Sequence, residues 1–301
     1  MVPDGAARST AVWRHRLQST RGCAVYRDPR TRTPSTGASV RPGSRLSPWW
    51  WLAGGAVLFF LVPLVGADLL GLQRDLYYVV YFTVALAWFA AFLVAKGPDL
   101  AGFWSHHLGR SLVVGAVVAL LLVAVVLNGA GTDHPDGWRL AFEVLWRGLV
   151  YGAVDALTLF VFPAAVAYLL MHGNRAGLRR QVGFAALALG LSMLVSAAYH
   201  LGYPEYRDSD LRSPEIGTVM ASLPAMLTGN PVGALVAHPA AHVTAVVHQN
   251  EGGSTLMLPP KVTSGYPDRG NADVATALAV GWMVVVAGGL TVLVRRRRTP
   301  G

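Results

Sequence analysis

The sequence predicts an all-α fold, a polytopic transmembrane helical bundle of about eight spans, on three observations. Only 14% of its 301 residues are charged, against roughly 25% in soluble domains. Its apolar residues gather into runs close to the ~20 residues that a helix needs to cross a hydrocarbon core. Links rich in Arg alternate along the chain with links that are mixed or acidic, as passage back and forth through a bilayer requires.

Residues 1–48 carry nine Arg among Ser, Thr, Gly and Pro. They have too little apolar surface to fold alone, so a disordered cytoplasmic tail is expected. The tail is too long and too basic for a secretory signal, and the run that follows it is long enough to stay in the membrane. Cys23, the single cysteine, lies in this tail, which leaves no internal disulfide and no Cys-based metal site. The expected spans are 49–66, 77–95, 111–128, 140–171, 182–201, 216–228, 231–248 and 273–294. The sixth is short for a crossing. Pro224 and the Thr228-Gly229-Asn230-Pro231 break suggest that the sixth and seventh form a tight or partly re-entrant hairpin.

Lys96 and Arg110, then Arg175, Arg179 and Arg180, then the Arg run at 295–298 mark alternate links as cytoplasmic. Asp68 and Asp75, Asp133 and Asp136, the segment with Glu205, and the segment from Glu251 to Asp273 lie on the other side. Eight spans put both termini in the cytoplasm, and the plasma membrane is the expected location. The net charge of +9 is then topology and attraction to anionic lipid, with the lipid bilayer as partner and no nucleic acid.

Against this background the polar residues of the later spans stand out, because an ionised group at mid-bilayer costs roughly 2.5 to 3.5 kcal/mol on insertion scales. Glu143 and Arg147 are four apart on one helix face, with Tyr151 continuing the row. Taken alone they read as a structural ion pair that lets the helix insert. Asp155, two turns beyond Arg147 and about 80° round at ~100° per residue, is expected to be a hydrogen-bonding helix contact. His200 ends the fifth span, and Glu205 follows it after a Gly-Tyr-Pro turn. His238 and His242 share one face of an apolar helix, with His248 at its outer end. Four residues is a common spacing for two imidazoles on one metal or one polar substrate, so a divalent metal such as zinc is an alternative for this pair. Pro239 between them frees the carbonyl of Leu235. No phosphate-binding loop, nucleophile elbow or H-E-x-x-H pair occurs, and internal inverted repeats of a transporter are not visible.

Three of these stretches, "EVLWRG", the His ending the next span, and "TGNPVGALVAHPAAH", resemble the ordered motifs of the CPBP family, the CAAX-processing and bacteriocin-processing (Abi-type) intramembrane endopeptidases. The resemblance covers roughly residues 140–245. It implies that Glu143, Arg147, His200, His238 and His242 line one buried cavity as catalytic residues. There a carboxylate and a His would activate water to cut a membrane-embedded peptide or protein, with no cofactor required. The chain departs from the family at Phe142, where the leading carboxylate is expected, and at Ser196, where an aromatic is expected. The departures leave a divergent peptidase using Glu143 or Glu205, a relative that keeps the cavity for binding a lipid, metal or protein partner, or a His/carboxylate metal site.

Overall fold

Prolines, glycines and short polar links cut the chain into helices, and in the computed structural model no strand occurs among the described residues. These are 46–131, 136–207, 211–248, 257–260 and 269–298, with backbone only at 269–272, 290 and 292–298. The expected disordered tail, Cys23 and most of the segment from Glu251 to Asp273 lie outside them.

Helix α1 is Pro48–Pro63 and runs on through a π-helical turn at Leu64–Leu69; Pro48 suits the first turn, where no N–H is needed. Helix α2 is Arg74–Lys96. The Gln73 side chain caps it, accepting from the amides of Asp75 at 2.8 Å and Leu76 at 3.1 Å, and Asp75 and Lys96 match the ends of its dipole. Next come α3, Leu108–Leu127; α4, Gly137–Leu170; and α5, Leu178–Leu201. They are followed by α6, Arg212–Thr228; α7, Ala234–His248; and α8, Arg269–Arg298.

Among the described residues, five helices are long and apolar enough to cross a membrane: α1 with its extension, α2 with its extension to Ser105, α3, α4 and α5. Helices α6 and α7 have 17 and 15 residues. At ~1.5 Å per residue both fall short of a ~30 Å core. The chain does not break at Pro224, which α6 absorbs; it turns at Gly229, whose φ of +71° only glycine adopts without strain. The apolar part of α8 is Asp273–Gly289.

The helix with the most internal charge is also the innermost. In the apolar window of α4, 72% of residues are buried, against 28–39% in the other four long helices. Its charges therefore face protein rather than lipid. Close packing on α7 makes this possible: a Cβ on Gly152 would lie 2.6 Å from the Pro239 Cα, and one on Gly148 would lie 3.0 Å from the Val243 Cα. The two glycines form a G-x-x-x-G face of the kind that lets membrane helices touch backbone to backbone.

The links sort to two ends. At one end Arg207 pairs with Asp68, His248 Nε2 lies 2.9 Å from the Gly129 carbonyl, and Arg74 donates to the Pro260 carbonyl at 2.7 Å. At the other end Asn230 Nδ2 donates to the carbonyls of Trp104 and His106 at 2.9 and 2.8 Å, and Arg175 donates to the Gly229 carbonyl.

Candidate functional site

Glu143 and Arg147 do meet, at 3.2 Å, but inside a larger network. Arg147 donates from Nε and Nη2 to the two oxygens of Asp75, at 2.8 and 2.9 Å. Arg139 donates to Glu143 at 2.9 Å, to the Thr276 hydroxyl at 2.8 Å and to Asp75 at 3.4 Å. Two carboxylates and two guanidinium groups thus balance among α2 and α4, with Thr276 of α8 beside them. Asp75, expected in an outer link, is the main partner of Arg147. Phe142 is buried in the same region, 6.5 Å from Trp146 and 5.3 Å under the Arg139 guanidinium. Neither Glu143 nor Arg147 lines the main cavity.

That cavity, about 670 Å³, opens among α3, α4, α6 and α7, and its walls are mostly apolar, including Leu122, Val126, Phe160 and Met220. Its polar wall holds Asp155, His238, His242 and His200. His238 and His242 are one turn apart on α7, with their Nε2 atoms 3.0 Å apart. Asp155 reaches from α4 to place Oδ2 3.8 Å from His238 Nε2. One ligand atom from each of the three lies within 4.8 Å of the others. Asp155 is the hydrogen-bonding helix contact expected, accepting from Tyr81 of α2, and the structure also sets it beside the histidine pair. Each buried acid on α4, Glu143 and Asp155, is followed directly by a π-helical turn, Val144–Val150 and Ala156–Val161. Such turns widen the helix and shift the faces that a regular step would assign.

The surroundings fix these groups. Tyr81 donates to Asp155 Oδ1 at 2.8 Å, which leaves Oδ2 turned toward His238. Tyr151 and Phe160 meet His242 and His238 edge to face, at 4.7 and 5.0 Å. Nδ1 of His242 is buried with no hydrogen-bond partner among the described residues. Beyond Tyr151 a row of phenols runs through Tyr199 and Tyr203 to Tyr77, each hydroxyl 2.7 Å from the next. Sequence reasoning missed this row. The signal was present in Tyr77, Tyr151 and Tyr199, since a phenol inside an apolar span needs a partner for its hydroxyl.

His200 faces the same cavity from α5. Its Nδ1 lies 2.8 Å from the Ser196 carbonyl, which accepts the ring N–H and leaves the Nε2 lone pair for the cavity. Ser196 is held in turn by Thr218, whose hydroxyl donates to it at 2.7 Å. Glu205, in the short turn Pro204–Arg207, does not line the cavity, and His248 is occupied at the end of the bundle. The structure therefore brings His200, His238 and His242 to one cavity, adds Asp155, and sets Glu143 and Arg147 apart.

The donor set suits a divalent transition metal. Two imidazoles and one carboxylate with an open side toward a cavity is the pattern of catalytic zinc sites, and ligands about 2.0–2.1 Å from a tetrahedral ion sit about 3.3 Å apart. Two of the three separations, 3.0 Å and 3.8 Å, lie on either side of that edge, and all three are within 4.8 Å. The hydrogen bond from Tyr81 to Asp155 is the kind of outer partner that orients a ligating carboxylate. No family model, curated protein or solved structure matches this chain.

Proposed function

We propose that this protein is an integral membrane protein that carries a divalent metal site, zinc by its donors, at Asp155, His238 and His242. The site would act on a membrane-borne substrate, a lipid or peptide, that enters the cavity. The observation that carries the reading is the convergence of these three donors, from α4 and α7, on the polar wall of a largely apolar cavity. His200, with its Nε2 free, is placed to accept a proton from a water bound in the cavity. The apolar walls would hold the acyl or side-chain part of the substrate. In the membrane, eight crossings are proposed, with α6 and α7 as a short hairpin and both termini cytoplasmic in the plasma membrane. The sorting of the links to two ends supports this.

A second reading drops the metal. Asp155 Oδ2 and His238 Nε2, 3.8 Å apart, form a carboxylate–histidine pair that can activate water directly. That is peptide hydrolysis of the kind implied by the resemblance to CPBP peptidases, with Asp155 in the place of the family's leading carboxylate and Glu143 in a structural role. Turnover by full-length protein in liposomes, on a membrane-embedded peptide and on a phospholipid, tests both. Asp155→Asn and His238→Ala should each abolish it, and chelation should do so only on the metal reading. Full turnover by both variants would refute the site.

A further inference from the structure

The "TGNPVG" turn ends in a second cleft, far in character from the first. It measures about 180 Å³ and lies at the end of the bundle that gathers the basic links. His106, His107, Arg110 and Arg175 line it, and among the described residues no carboxylate does. Its frame is built rather than incidental. Asn230 ties the turn to the carbonyls of Trp104 and His106, and the Ser111 hydroxyl donates to the Asn230 carbonyl at 2.7 Å while accepting from the Gly233 amide at 2.8 Å. Arg175 is held over the Tyr168 ring at 4.8 Å, with Phe103 and Phe184 beyond, and donates to the Gly229 carbonyl.

Basic groups are thus pressed together without an acid. The rings of His106 and His107 have centroids 4.0 Å apart. Burial pushes His106 below the usual histidine range, and the charges of Arg175 and His107 push it further the same way. An anion held between Arg110 and Arg175 would offset this crowding.

We propose that this cleft binds a phosphate group, either that of an anionic phospholipid headgroup or free inorganic phosphate. The volume takes a phosphate but not a whole lipid, so acyl chains would lie outside, along the helices. Arg110 and His107 are exposed at the rim and supply donors, while Arg175 at the wall supplies fixed positive charge. A guanidinium offers several donors in a planar fork that suits phosphate oxygens.

The test uses purified full-length protein and two probes: dioleoylphosphatidylglycerol, followed by native mass spectrometry against dioleoylphosphatidylcholine, and inorganic phosphate, followed by calorimetry. The variant is Arg110→Gln with His107→Asn, because Asn tolerates the left-handed backbone of position 107, φ +48°. Arg179→Gln with Arg180→Gln is the control for general charge loss, and thermal melting confirms that both variants are folded. The proposal expects selective retention of phosphatidylglycerol, weakened about tenfold or more by the cleft variant and less than about threefold by the control. Displacement of that lipid by inorganic phosphate, or phosphate binding alone with the same variant pattern, identifies the free anion as a source. Retention with no competition identifies the headgroup. Equal binding of neutral and anionic lipid with no phosphate binding, or equal loss in both variants, overturns the proposal.

Discussion

Replacing Asp75 with Asn keeps the shape of the side chain and removes its charge from a pair whose members are 0% and 1% exposed. Arg147 holds that carboxylate with two hydrogen bonds, of 2.8 and 2.9 Å. Charge centres about 4 Å apart attract by about 4 kcal/mol at an effective dielectric near 20. Of the two carboxylates that Arg139 and Arg147 are seen to meet among the described residues, the variant leaves Glu143. Removing one side of a buried pair costs about 3 to 5 kcal/mol, mostly as uncompensated charge. Adding Arg147→Met restores neutrality, so the double variant Asp75→Asn/Arg147→Met should be more stable than Asp75→Asn alone. Reversible unfolding in mixed micelles, followed by tryptophan fluorescence, measures both. An Asp75→Asn variant as stable as the parent, or a double variant as unstable as the summed singles, would refute the neutral-network reasoning.

Other predictions concern the packing and the cavity mouth. Gly152→Val should push α4 and α7 apart, because even a Cβ there meets Pro239 at 2.6 Å. It should weaken ligand or metal binding at Asp155 and His238 by about tenfold or more, as expected when a catalytic group is displaced by ~1 Å; unchanged binding would show that the close contact does not set the site. Glu215, just ahead of the apolar stretch 216–228, is pushed up to about 6 by burial. Its folded pKa is raised, so the folded protein binds more protons than the unfolded one between about pH 4.5 and 6, and stability falls as pH rises through that window. Solvent screening of a half-buried group limits the effect to about 1 kcal/mol. Melting curves across the window should flatten in Glu215→Gln, and an unchanged slope would contradict the assignment.

Much of the architecture was legible because it rests on local pattern. Apolar run length located the long helices, the Arg of alternate links anticipated which links share an end, and the four-residue spacing of His238 and His242 put both on one face of α7. The polar partnerships were harder to see for physical reasons. Arg147 chooses Asp75 across the bundle, a contact between residues far apart in sequence. Asp155 reaches the histidines after a stretch of helix that includes a π-helical turn, and a fixed step of ~100° per residue does not follow that change. The phenol row depends on hydroxyls from three helices and one link, each ordinary by itself. The glycines at 148 and 152 did carry a readable signal, a G-x-x-x-G spacing on the helix that bears the charges, and they explain how α4 and α7 come close enough to share a site.

The most direct test of the central claim is the metal content of the full-length protein, purified with a non-histidine tag and without chelators, by inductively coupled plasma mass spectrometry. The account predicts about one zinc or similar divalent ion per chain, lost in His238→Ala/His242→Ala and in Asp155→Asn, and kept in Arg110→Gln/His107→Asn. Folded protein without metal, which takes up none when zinc is added back, would contradict it. So would equal metal content in the parent and the His238→Ala/His242→Ala variant.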